Sequence, residues 1–106
     1  MSEWVQLSVA VRSAEEVHGL HHPETATALR ALGDAALGSA RYDEAEVALR
    51  RALAILQTQP DPDRPALARV LHGLGRIDEE RGRADDAEAA HRRARTYEGR
   101  GDMLRQ

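Results

Sequence analysis

The chain has no cysteine and no phenylalanine in its 106 residues, and no lysine either. The first absence excludes disulfides, thiolate metal sites and a cysteine nucleophile. The second, beside one Trp and two Tyr, leaves few bulky side chains, and alanine is the commonest apolar residue. A core built this way is thin. It needs elements whose backbones approach closely, as stacked helices do over Ala and Gly, and it suits a sheet or barrel poorly. All 15 basic residues are Arg, which a GC-rich bacterial genome explains most simply. The formal net charge is −3, so no bulk basic field points to nucleic acid. No stretch reaches the ~18 consecutive apolar residues of a membrane span. Glu3 and Arg12 stand where a signal peptide needs a basic start and an unbroken apolar run. The expectation is a single cytoplasmic domain with no membrane partner.

What the chain does contain is a copy of itself. His22-Pro23, Leu29, Leu32-Gly33, Arg41-Tyr42-Asp43-Glu44-Ala45-Glu46 and Arg50-Arg51-Ala52 return as Arg64-Pro65, Leu71, Leu74-Gly75, Arg83-Ala84-Asp85-Asp86-Ala87-Glu88 and Arg92-Arg93-Ala94. The offset is 42 residues at each position (65 − 23, 75 − 33, 94 − 52). A fixed period of this size marks a repeat architecture, whose units bury their faces by stacking.

Apolar spacing assigns helices within the period. Residues 2–18 carry Leu7, Val11 and Ala14 on one stripe, with Trp4, Ala10 and Val17 beside it, and Gly19 ends the run. Repeat 1, residues 23–58, begins at Pro23, a residue suited to a first helical position. Its helices are expected over about 24–38, buried through Ala28, Leu29, Leu32, Ala35 and Ala36, and about 43–58, buried through Ala45, Ala48, Leu49, Ala52, Leu53 and Leu56. Gln59-Pro60-Asp61-Pro62-Asp63-Arg64 separates the copies. Repeat 2, residues 65–98, holds helices from Pro65 to about Arg81 and from Ala84 to about Glu98, and 99–106 is expected to be a polar, frayed tail. The leading helix fits the second half of an earlier unit: Leu7 and Ala10 precede Leu49 and Ala52 by the same 42 residues, although Glu3 then faces Ala45.

Leu29, Leu32-Gly33, Ala45, Leu49 and Ala52, repeated as Leu71, Leu74-Gly75, Ala87 and Ala94, resemble the tetratricopeptide repeat pattern. There, two large residues precede a Gly on the first helix and a small-large-small series follows on the second. The long period, the His22-Pro23 start and Tyr42-Asp43-Glu44-Ala45 are similar to the variety found in kinesin light chains. The resemblance implies an all-α fold: a short right-handed tetratricopeptide-type α-solenoid of five antiparallel helices, one leading helix and two helix-turn-helix repeats. It also implies a non-catalytic adaptor that binds a peptide or protein segment in a groove lined by the first helices of successive units. Thr27, Arg30, Asp34 and Leu37 would face that groove from one unit, and Arg69, His72, Arg76 and Glu79 from the next. Arg forks suit carboxylates, so an acidic partner is expected; the alternative is a solvated face on which Arg76 pairs with Glu79 or Glu80. Asp34 stands where the carboxylate clamp of chaperone-binding members needs a neutral amide, which argues against that ligand.

A second expected surface is the N-terminal edge, where Trp4, Val5 and Val9 would make the chain a structural subunit that self-associates, most naturally as a two-fold homodimer, or assembles into a larger complex. Asp78 falls inside an apolar arc and is expected to reach a nearby Arg. His91 and Arg95 replace Leu49 and Leu53 in the last helix, narrowing its apolar stripe as the exposed end of a stack requires. His18, His21 and His22 cluster without a Cys or carboxylate at ligand spacing, so no metal is expected. No nucleophile lies in a base-bearing motif, and Gly73 and Gly75 lie inside a helix rather than in a phosphate loop. No enzyme activity and no cofactor are expected.

Overall fold

The structure, a computed structural model, describes the backbone of residues 2–105 and the side chains of residues 2–99. Five α-helices follow in order: α1 (Glu3–His18), α2 (Pro23–Gly38), α3 (Tyr42–Gln57), α4 (Arg64–Glu80) and α5 (Ala84–Arg105). No strand occurs among the described residues. Each helix packs on the next, and α2 also touches α4. The short connections, such as 39–41 and 58–63, make packed neighbours antiparallel. The result is α1 followed by the hairpins α2–α3 and α4–α5, in a slab of 47 × 34 × 18 Å. Its thinnest dimension is that of two helix layers, each ~10 Å across.

Local chemistry fixes where the helices begin. Ser2 Oγ accepts from Val5 N at 3.4 Å. The His22-Pro23 pair has a direct role: His22 Nδ1 accepts from Glu24 N at 3.0 Å, while Pro23 occupies a first-turn site whose N–H has no helical partner. The ring of His22 stacks on that of His18, with centroids 4.7 Å apart. In the second copy Asp63 Oδ1 takes over, accepting from Ala66 N at 3.1 Å, so the capping residue lies one position earlier than strict repetition would put it.

The two hairpin turns are the same device. Arg41 N donates to Ala36 O at 2.8 Å and Ala40 N to Leu37 O at 3.1 Å. One repeat later Arg83 N donates to Asp78 O at 2.8 Å and Gly82 N to Glu79 O at 3.1 Å. Both pairs are the double bond of a Schellman stop, which needs a left-handed residue. Gly82 has φ 74° and accepts it freely; Ala40 has φ 57° and does not.

The core runs through both hairpins. Leu29, Ala45, Leu49, Ala52, Leu67, Val70 and Ile77 are at most 1 % exposed. Leu49 is central: a Cβ placed on Gly33 of α2 would lie 2.6 Å from Leu49 Cδ2, and one on Gly73 of α4 would lie 2.8 Å from Leu49 Cδ1. Glycine on each flanking helix is thus what lets α3 seat its leucine. A smaller cluster of Ala68, Leu71 and Ala94 joins α4 to α5, with Leu53 and Tyr97 at its border. Asp78 reaches Arg83 at 2.8 Å, the ion pair its place in an apolar arc called for. Between units, Glu46 of α3 meets Arg81 at 3.1 Å and Arg83 at 3.4 Å, besides Arg50 at 3.1 Å. Burial alone would raise the Glu46 carboxyl, but the Arg50 hydrogen bond and the charges of Arg50, Arg81 and Arg83 outweigh it and hold it below its ordinary value.

Two features differ from the reading of the sequence. Residues 99–105, expected as a frayed tail, continue α5 to Arg105; Gln106 lies outside the described residues. Glycine weakens a helix by only about 1 kcal/mol and no proline follows, so nothing there stops it. Leu37, expected on an open face, is 8 % exposed and belongs to the core.

Ala40→Gly removes the left-handed strain while keeping both turn hydrogen bonds. Urea denaturation is expected to show a stabilisation of ~1 kcal/mol, whereas Gly82→Ala at the matching turn lowers stability.

Candidate partner-binding face

The residues expected to line a groove lie on α2 and α4, and the structure divides them. Thr27 is exposed on α2, its Oγ1 donating to Pro23 O at 3.2 Å. One turn on, Arg30 pairs with Asp34 at 3.3 Å. Arg69 of α4 stands close enough for its charge to act on Asp34 as well. Arg69 and Arg76 are both exposed, and neither forms an ion pair among the described residues. Pairing of Arg76 with Glu79 or Glu80 therefore does not occur. Helix α4 thus carries two exposed arginines with uncommitted forks, and α2 a third held by a carboxylate.

The other three expected residues lie elsewhere. Leu37 is buried, and a Cβ on Gly73 would come within 4.0 Å of its Cδ2. His72 turns towards α5, where its Nδ1 lies 2.8 Å from His91 Nδ1 and its Nε2 2.6 Å from Glu98 Oε1. Glu79 meets His91 Nε2 at 2.5 Å. His72 and Glu79 therefore belong to the α4–α5 seam. The repeat itself held the signal for this. Leu37, Leu49 and Leu56 correspond to Glu79, His91 and Glu98 (79 − 37 = 91 − 49 = 98 − 56 = 42), so one seam changed from aliphatic to polar at three places together.

A hollow of about 270 Å³ opens beside Thr27 and Arg30, closed on its far side by Pro60, Asp61 and Asp63. It depends on the path of the 58–63 connection, which periodicity does not specify. A second hollow, about 360 Å³, lies between α1 and α3 over Leu29, Leu32, Val47 and Ala48, with Trp4 at its edge. Trp4 is half-buried and carries the Arg41 guanidinium 4.9 Å above its ring. Val5 and Val9 remain open, at 42 % and 57 % exposure. No group of three or more His, Cys, Asp or Glu side chains is arranged so that it could hold a metal ion among the described residues. No helix described is long and apolar enough to cross a membrane.

A family model described as tetratricopeptide repeat matches residues 8–58 and again residues 41–97. The two matches overlap across α3, the helix that packs against both of its neighbours. No curated protein matches the chain.

Burial pushes the Asp34 carboxyl above its usual value of 3.8, against the charges of Arg30 and Arg69 and the Arg30 hydrogen bond. A carboxyl raised on folding contributes stability at low pH and loses it as pH rises through the raised value. Asp34→Asn should therefore melt slightly higher than the parent at neutral pH. That advantage should vanish below the ordinary carboxylate range when melting temperatures are compared across pH.

Proposed function

The chain belongs to the tetratricopeptide repeat family, and on that premise we propose that it is a non-catalytic docking module that takes an acidic segment of another protein against α2 and α4. Repeats of this family generally mediate protein–protein interaction. The single observation that carries the acidic preference is the pair of exposed arginines, Arg69 and Arg76, with no ion-pair partner among the described residues. They lie seven positions apart on one helix, two turns along the same face. Each can offer two parallel N–H groups to a carboxylate. Arg30 supports the same preference less strongly, because Asp34 already occupies its fork. Thr27 adds a hydroxyl at the mouth of the hollow that Arg30 also lines.

A second reading, assembly through the N-terminal edge, is favoured by the exposure of Val5 and Val9 one turn apart on α1. Val17 and Leu20 are exposed near the other end of the same helix.

One experiment addresses both. Peptides selected from a random library against the immobilised chain should be enriched in Asp, Glu or a free C-terminal carboxylate, and their affinity should fall with salt. Arg69→Glu with Arg76→Glu should weaken them roughly tenfold or more, since a hydrogen bond to a charged group is worth about 1.5–3 kcal/mol, without changing the helical circular dichroism. Peptides with no acidic bias, or affinity untouched by the reversal, would remove this reading. Loss of self-association on Val9→Asp would then favour the other.

A further inference from the structure

Four side chains on the open side of the last hairpin form one continuous chain: Glu79 to His91, His91 to His72, His72 to Glu98. We propose that this chain is a proton-counted latch, which closes α4 against α5 only when the two imidazoles hold three ring protons between them.

The count follows from donors and acceptors. An ionised carboxylate only accepts, so Nε2 of His91 and Nε2 of His72 must each carry a hydrogen to bond Glu79 and Glu98. Both Nδ1 atoms would then be bare. They face one another at 2.8 Å, a distance that fits a hydrogen bond and not two opposed lone pairs. One further proton between them completes the set. With three ring protons the imidazole pair bears a single positive charge between two negative ends. With two, the nitrogens repel or one bond to a carboxylate is given up. With four, two N–H groups collide head to head.

The rings are placed for this by packing. They sit edge to edge, centroids 5.1 Å apart and planes 35° from parallel. The His91 ring lies so close to α4 that a Cβ on Gly75 would be 2.8 Å from its Nε2. Half-open surroundings let protons exchange with solvent: the His72 side chain is 39 % and the His91 side chain 26 % exposed. By helical spacing the other charged side chains on these faces are Arg69 and Arg76 beside His72 and Glu88 and Arg95 beside His91. Arg30 and Asp34 of α2 lie towards Arg69. None of these six makes a hydrogen bond or ion pair to either imidazole among the described residues. α3 presents Leu53, an uncharged residue, at the seam. The two glutamates are thus the direct partners of the pair.

A latch that closes at one proton count and opens on either side of it makes stability depend on pH. Melting temperature of the full chain should pass through a maximum as pH is varied and fall by several degrees on either side. His91→Leu restores the residue of the first repeat and removes two of the three bonds. The maximum should disappear. Should that variant fail to fold, His72→Arg, which restores the residue corresponding to Arg30, serves the same purpose. Nitrogen-15 spectra of the parent should count three ring protons on the pair at the optimum. A melting difference between parent and variant that does not change with pH, or a count of two or four at the optimum, would overturn the proposal. So would a parent whose stability rises with zinc and falls with chelator, since the two Nδ1 atoms would then be sharing a metal ion.

Discussion

Everything in this molecule depends on one close approach. Leu49 of α3 lies fully buried between Gly33 of α2 and Gly73 of α4, at distances that leave no room for a Cβ on either glycine. Interiors pack with few voids, so such a contact tolerates neither added nor missing atoms. Because the glycines belong to different repeats, the same leucine closes its own hairpin and seats the next one. The alanines around it, Ala45, Ala48 and Ala52, are buried to within 3 % and keep the three helices near enough for it to serve both. A chain without phenylalanine obtains a core through proximity instead of bulk.

The α4–α5 hairpin carries a different contact at the equivalent place. Position for position, Leu49 becomes His91 and Gly33 becomes Gly75, and the imidazole still seats against the glycine. The positions of Leu37 and Leu56 in the first repeat are held in the second by Glu79 and Glu98, which bond the histidines. Hydrogen bonding satisfies these polar groups, and no buried side-chain polar atom is orphaned among the described residues. The consequence reaches the proposed binding face. His72 and Glu79 are taken up by this cluster, so of the four α4 residues expected on the groove, Arg69 and Arg76 are the two left without a partner among the described residues.

Much of this was legible in the sequence because its period was legible. Pro23, Pro65 and the glycines punctuate helices whose apolar spacing repeats, and the observed boundaries lie within a residue or so of those expected, α5 excepted. Leu37 leaves the expected face because one face of α2 does not extend that far along the helix. Ten residues beyond Thr27, at 3.6 residues per turn, the side chain has rotated roughly 80° away, towards α4 and the core. The histidine cluster was missed for a different reason. The spacing of α4 residues along their own helix specifies one surface, while the partners of His72 lie 19 and 26 positions away on α5. Contacts between helices follow from how closely backbones approach, and that follows from Gly75. The hollow beside Arg30 depends on a connection whose path no periodicity encodes.

The most direct test is the unfolding of Leu49→Ala in urea, followed by Trp4 fluorescence, which reports α1, and by far-ultraviolet ellipticity, which reports all helices. In the parent the two transitions should coincide, as one cooperative unit requires. In the variant, stability should fall by about 2–5 kcal/mol, and the transitions should separate as the hairpins lose the side chain that joins them. Transitions that still coincide, with less than about 1 kcal/mol lost, would mean that Leu49 does not couple the repeats.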